Sequence, residues 1–231
     1  IRAHYMGEIT HIDAQVGRLI GGLAARGLLE NTLVVFASDH GDMMGDRGLF
    51  FKTTFYEGSM RVPFVLSAPR AWGDRALGRV VDTPVGLADL LPTLLEAAGV
   101  EDVRPRDGRS LLGFSRGETP FSERVVHSVY GHGLEDVRHC VTDGKTKYIW
   151  NRRGGFEELY HPAEDPAEAH NLAQDPSCRA ELERWRATLV ETLAREGATY
   201  CLEGGALAPL PTPEAPESRS RARDPFGRRD F

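Results

Sequence analysis

The segment that decides the fold runs Leu33-Val34-Val35-Phe36-Ala37-Ser38-Asp39-His40-Gly41-Asp42. Its first five residues are apolar and rich in β-branched side chains, which predicts a short buried β-strand. Asp39 and His40 therefore come where a buried strand ends and a glycine-rich loop begins. Ligands bind at the carboxyl ends of strands in open α/β sheets, so the pair predicts a metal site. The loop then brings Lys52 back, which offers a positive charge to an anion.

Helical and strand patterns alternate around this segment. Apolar residues recur at steps of three or four from Ile9 to Leu23, which predicts an amphipathic helix before the strand. Pro63–Ser67 has the composition of a second short buried strand. Thr83-Pro84 predicts the start of a helix that runs to Gly99, with Pro92 kinking it or splitting off its first turn. This order of elements predicts a doubly wound α/β domain.

The pattern changes in the second half of the chain. Short strand-like runs predict a small antiparallel sheet: Val125–Val129, Val137–Thr142, Lys145–Trp150 and Phe156–Tyr160. Asp143-Gly144 is typical of a two-residue hairpin turn, and Arg153-Gly154-Gly155 of a second turn. A helix over about Arg179–Glu196 closes this sheet, and four of its residues are predicted to face the core: Leu182, Trp185, Leu189 and Leu193.

These patterns predict three parts. They are an α/β portion over residues 1–120, an antiparallel sheet with a helix over residues 121–203, and an extended or disordered tail over residues 204–231. The tail is rich in arginine, which indicates a solvated basic segment or a contact in a homo-oligomer.

Composition excludes some functions. The net charge of −6 gives no support for a nucleic-acid partner. No apolar run approaches the roughly 20 residues that span a bilayer, so no membrane span is predicted. Three widely spaced cysteines do not form a disulfide framework, which favours a reducing, cytoplasmic compartment and leaves a periplasmic one open.

Further motifs follow the first strand in a fixed order. Gly45-Asp46-Arg47-Gly48 precedes Lys52, which comes twelve residues after His40, and Tyr56-Glu57-Gly58-Ser59-Met60-Arg61-Val62-Pro63 comes next. A late segment carries Phe156-Glu157-Glu158-Leu159-Tyr160, Asp165-Pro166 and Asn171-Leu172-Ala173. In this order and spacing the motifs closely resemble the C-terminal half of the sulfatase family, over roughly residues 1 to 195. The resemblance implies the C-terminal portion of an alkaline-phosphatase-like α/β sheet.

The resemblance also implies a site. Asp39 and His40 match metal ligands, for Ca²⁺ with Mg²⁺ or Mn²⁺ as alternatives, and Lys52 matches the catalytic lysine that binds the sulfate. The family's nucleophile is a formylglycine made from the cysteine of a Cys-x-Pro/Ala-x-Arg motif. Cys140, Cys178 and Cys201 do not fit that motif. The nucleophile and the other acidic ligands are therefore expected in a missing N-terminal half, and the chain alone is expected not to turn over its small sulfated substrate.

The sequence leaves two possible roles open for several residues. Asp39 could instead cap the loop beside a buried His40, and Lys52 could be solvated. Arg47 stands where many sulfatases have His, within a pattern similar to the choline-sulfatase branch. It either binds the substrate anion or forms an ion pair with Asp42 or Asp46.

Two rival functions share these motifs. A phosphonate monoester hydrolase or phosphodiesterase would use the same two metal-binding residues and the same lysine to hydrolyse a phosphorus ester. A non-catalytic binding module would keep the fold and lose the chemistry. The nucleophile segment separates the first rival from a sulfatase, because Thr or Ser there would indicate phosphate chemistry.

Overall fold

The computed structural model describes residues 1–72, 78–101, 103–118 and 123–212. The first part contains α1 (Arg2–Ala24), β1 (Val34–Ala37), α2 (Glu57–Met60), β2 (Phe64–Ser67), α3 (Leu90–Ala97) and α4 (Leu112–Ser115). The second part contains β3 (Val126–His132), β4 (Asp136–Thr142), β5 (Lys147–Asn151), β6 (Glu157–Tyr160), α5 (Arg179–Arg195), β7 (Leu202–Glu203) and β8 (Ala206–Leu207). No helix in these ranges is both long and apolar enough to cross a bilayer. The mixed α/β class and the closing helix are as the sequence predicts.

The predicted strands β1 and β2 form, but they are not buried. They pair antiparallel, with Val34 opposite Ser67 and Phe36 opposite Val65. Cross-strand partners lie on the same face of a sheet. Phe36 is 38% exposed and Val65 is 56% exposed, so this apolar face is uncovered. Helix α1 likewise buries none of its residues. The prediction of buried strands is therefore wrong for this chain, since nothing in its described part packs over that face.

The helix predicted from Thr83 begins later. A single 3₁₀ turn spans Leu87–Asp89, and α3 starts at Leu90. Asp89 stops the helix from extending backwards, because its Oδ2 accepts the Gly86 N–H at 2.8 Å. Pro92 is the third residue of α3, where no intrahelical N–H is required. The separated first turn predicted from Pro92 is present, and the predicted start at Thr83 is wrong.

The main core lies in the second half of the chain. Strands β3, β4, β5 and β6 form one antiparallel sheet in that order. Helix α5 covers one face of it, and all four residues predicted to face the core are buried: Leu182, Trp185, Leu189 and Leu193. They pack with Tyr148, Trp150 and Leu159 of the sheet. The predicted sheet and helix are confirmed.

Two details of this half differ from expectation. Thr142 pairs with Lys147, so the β4–β5 loop has four residues, 143–146, rather than two. The Asp143 carboxylate accepts the N–H groups of Lys145 and Thr146 at 2.9 and 2.7 Å, which closes a wider turn. The segment from residue 204 to 212 is also not an extended tail. Its first residues supply the turn and second strand of the β7–β8 hairpin, and Leu210 bridges to Arg153. The tail arginines lie outside the described residues.

A chain of polar groups runs from the exposed Glu196 into this core. The Nδ1 of His139 lies 3.0 Å from the Nε2 of His127, whose own Nδ1 lies 2.6 Å from a Glu196 carboxylate oxygen. The other nitrogen of His139 lies 3.4 Å from the Cys201 sulfur. Burial, with His127 and Arg152 nearby, lowers the pKa of His139 to about 4. The ring is therefore neutral in the folded protein at neutral pH.

This neutral histidine predicts a loss of stability in acid. Between pH 6.5 and 4 the unfolded chain binds a proton at residue 139 that the folded chain does not, so stability falls as the pH drops. We expect about 2 kcal/mol less unfolding free energy from this group at pH 5 than at pH 7. Urea titrations at both pH values measure it. His139→Gln should lose this share of the pH dependence, whereas the exposed control His170→Gln should keep it.

Candidate functional site

Asp39 and His40 follow the carboxyl end of β1 after one intervening residue, Ser38. The Asp39 carboxylate bends back over the next residue. Its Oδ1 accepts the His40 backbone N–H at 3.0 Å, and its Oδ2 lies 3.3 Å from the Nε2 of the His40 ring. The Asp39 side chain is 80% exposed and the His40 side chain 38% exposed. Both side chains are therefore accessible to a ligand.

The His40 ring is held in one orientation. Its Nδ1 lies 2.7 Å from the Gly41 carbonyl oxygen, which can only accept a hydrogen bond. Nδ1 therefore carries a proton, and in the neutral ring the lone pair is on Nε2. The ammonium of Lys52 lies 2.5 Å from this Nε2. The three residues singled out in the sequence thus meet at one nitrogen lone pair.

The charge of Asp39 is favoured by its surroundings. Loss of solvent acts to raise the pKa of the Asp39 carboxyl, but the His40 ring, the His40 backbone N–H and the Lys52 ammonium outweigh it and lower that pKa. The group is a carboxylate at neutral pH. The carboxylate lies beside the His40 ring, and the ammonium of Lys52 lies against the same ring nitrogen.

Gly41 fixes the loop against helix α2. Its N–H donates to the Ser59 carbonyl at 2.7 Å. A Cβ on this glycine would lie 2.2 Å from the Gly58 carbonyl oxygen, a distance that no side chain tolerates. Asp42 then closes the loop, because its Oδ1 accepts the N–H groups of Met44 and Phe51. Asp42 is therefore a turn cap.

Arg47 takes a structural position. It has a left-handed backbone conformation, with φ of 55°. Its guanidinium carbon lies 4.2 Å from the centre of the Tyr56 ring, and it donates to the Glu168 carbonyl. Within the described ranges it forms no hydrogen bond or ion pair with Asp39, His40 or Lys52. The expected ion pair with Asp42 or Asp46 is also absent there, since Asp46 pairs with Arg2 at 2.5 Å.

Sequence reasoning missed the buried charges behind the loop. The ammonium of Lys147 lies 2.7 Å from carboxylate oxygens of both Glu57 and Glu168. Lys147 and Glu168 are buried. The signal in the sequence was Lys147, which directly precedes the apolar run Tyr148–Trp150. A lysine buried with such a run requires a carboxylate partner.

The donor set fits a divalent metal, but it is incomplete. A carboxylate oxygen and an imidazole lone pair are both metal ligands, and here they lie 3.3 Å apart, with a cationic group already at the imidazole nitrogen. The described residues contain no cluster of three or more His, Cys, Asp or Glu side chains that could hold a metal ion. Further ligands would have to come from elsewhere.

Comparison with known proteins gives consistent matches. A family model described as Sulfatase matches residues 1–100. An arylsulfatase of Clostridium perfringens is 35% identical over 192 residues, which is 83% of this chain and 40% of that protein. A choline-sulfatase of Rhizobium meliloti is 37% identical over 182 residues, which is 76% of this chain and 33% of that protein.

Solved structures agree. A 2-O GAG sulfatase superposes with a TM-score of 0.74 at 31% identity, over 82% of this chain and 42% of that one. A phosphonate monoester hydrolase of Agrobacterium radiobacter superposes with a TM-score of 0.71 at 28% identity, over 81% of this chain and 40% of that one. The chain therefore spans between 33% and 42% of the length of these four proteins.

Proposed function

Because this chain belongs to the sulfatase family and has its alkaline-phosphatase-like fold, we propose that it is the C-terminal part of a metal-dependent sulfuric ester hydrolase. The observation that carries this proposal is that the Asp39 carboxylate and the Lys52 ammonium both lie beside the Nε2 of His40, just after β1. A carboxylate and an imidazole can bind a metal, and an ammonium can bind a sulfate oxygen.

In this proposal Asp39 and His40 hold the divalent metal that the family generally uses, with Ca²⁺ expected and Mg²⁺ or Mn²⁺ as alternatives. The metal would lower the pKa of the nucleophile and polarise a sulfuryl oxygen. His40 presents Nε2 to it because Nδ1–H is bound to the Gly41 carbonyl. A metal at that lone pair would replace the Lys52 ammonium, since two cations cannot share one lone pair.

Lys52, once released, is the group we propose for the sulfate. Cleavage of the ester moves negative charge onto the leaving oxygen and the sulfuryl oxygens. An ammonium fixed beside them stabilises this charge more in the transition state than in the ground state. Arg47 is a weaker candidate for substrate binding, because its guanidinium already lies on Tyr56 and donates to Glu168.

The nucleophile is proposed to lie outside this chain. Cys140 and Cys201 are fully buried, and neither they nor Cys178 stand in the family's nucleophile motif. The uncovered apolar faces of α1 and of the β1–β2 sheet support the same view. The matched relatives contain more chain than this one, and part of it would cover those faces and supply a formylglycine and the remaining metal ligands.

A phosphonate monoester hydrolase is the second candidate, because one such enzyme shares the fold. The full-length protein, stripped with a chelator and reloaded with Ca²⁺, should be assayed on an aryl sulfate and on an aryl phosphonate monoester. We expect metal-dependent turnover with the sulfate preferred. Preference for the phosphonate would favour the second candidate, and inactivity on both esters with metal bound would favour a non-catalytic module.

A further inference from the structure

We propose that Glu168 and Lys147, which bind the first residue of α2, are positioning residues that set the orientation of His40. The role in metal binding depends on the proposed function. The structural link from Glu168 to His40 does not depend on that function, because it consists of contacts between described side chains and backbone groups.

Glu168 divides its carboxylate between two donors. Oε1 lies 2.7 Å from the Lys147 ammonium, and Oε2 accepts the backbone N–H of Glu57 at 2.6 Å. Glu57 is the first residue of α2, whose N-terminal N–H groups have no partner within the helix. Glu168 therefore binds the main chain of α2 directly. It does so from a strained backbone, with φ of 50°.

Lys147 keeps the two carboxylates together. Burial acts to lower the pKa of the Lys147 ammonium, but Glu168 and Glu57 outweigh it and raise that pKa. The ammonium is thus charged, and it bridges Glu57 and Glu168 at 2.7 Å each. Arg47, which donates to the Glu168 carbonyl, supplies the second positive charge. Lys147 and Glu168 are buried and are paired with each other, as buried charges require, and Arg61 also pairs with Glu57 at 3.5 Å.

Helix α2 transmits this position to the site. The Gly58 carbonyl packs where a Cβ of Gly41 would be, and the Ser59 carbonyl accepts the Gly41 N–H. The Gly41 carbonyl in turn accepts Nδ1–H of His40. A shift of α2 would therefore move the acceptor that selects the His40 tautomer. The cluster acts through this path and contacts no metal or substrate.

The test is Glu168→Gln. A glutamine has one oxygen, which the Lys147 ammonium would take, so its amide NH₂ would face the Glu57 N–H and that bond would be lost. The matched control is Glu157→Gln, which breaks an ion pair with Arg186 and a bond from the Tyr148 hydroxyl in the same subdomain but is not linked to α2. We expect protection of the Gly41 amide from hydrogen exchange to fall by at least about tenfold in the Glu168 variant relative to this control.

Two comparisons separate the outcomes. Glu57→Gln should reduce Gly41 protection less than Glu168→Gln, because Glu168 binds the backbone N–H of residue 57, which the Glu57→Gln substitution keeps. If the proposed function also holds, Mn²⁺ affinity of the full-length protein should fall about tenfold in Glu168→Gln and not in the control. Equal Gly41 protection in the Glu168 and Glu157 variants would overturn the inference, whether or not the protein hydrolyses sulfate. Loss of Gly41 protection in a protein without sulfatase activity would keep the link and refute only the function.

Discussion

Asp39→Asn should remove most of the metal affinity and of the catalytic activity of the full-length protein. The substitution keeps the size of the side chain but removes the negative charge, while the His40 lone pair and the loop contacts remain. Hard divalent ions depend on carboxylate charge for affinity. We expect Ca²⁺ or Mn²⁺ affinity to fall by at least about a hundredfold and kcat/KM to fall by about a thousandfold at limiting metal.

Asp46→Asn is the matched control for this substitution. Asp46 is in the same loop and is exposed, but it pairs with Arg2 and not with the site residues. Calorimetric metal titration and steady-state kinetics on both variants check the prediction. If the Asp39 variant bound metal and turned over sulfate esters as well as the Asp46 variant, Asp39 would be no more than a cap of its own loop.

The convergence of Asp39, His40 and Lys52 could be predicted because it depends on local chain geometry. Asp-His follows the strand, a glycine loop comes next, and a lysine stands twelve residues after the histidine. Such a short loop has few ways to bring the lysine back to the end of the strand. The α5 core could be predicted for a similar reason, since Leu182, Trp185 and Leu189 repeat with the helical period.

What the sequence did not reveal depends on contacts between distant segments. Glu168 lies 111 residues from Glu57 along the chain, and no periodic pattern reports such a pair. The burial of β1 was predicted from its apolar composition, but composition reports what a strand would bury and not what is present to cover it. Phe36 and Val65 are exposed for that reason, although both of their strands were correctly located.

Unlike Asp39→Asn, Lys52→Met should not lower the metal affinity. In the described structure the Lys52 ammonium lies 2.5 Å from the His40 lone pair, where a metal would bind. Methionine keeps a similar length of side chain and removes the competing cation, so we expect metal affinity to stay equal or increase. Turnover should nevertheless fall, because no ammonium stabilises the charge that develops on the sulfuryl oxygens. We expect a decrease in kcat of about 10²- to 10³-fold at saturating metal.

Lys145→Met is the matched control. Lys145 is exposed in the β4–β5 loop, so the substitution removes the same charge away from the site. Lys52→Arg should recover part of kcat, since a guanidinium can bind a sulfate oxygen but is larger and planar. Metal titration and kinetics on the three variants decide between two roles for Lys52. A parallel loss of metal affinity and kcat in Lys52→Met would show that the lysine merely maintains the loop. A loss of kcat with undiminished metal affinity would show that its ammonium acts on the substrate.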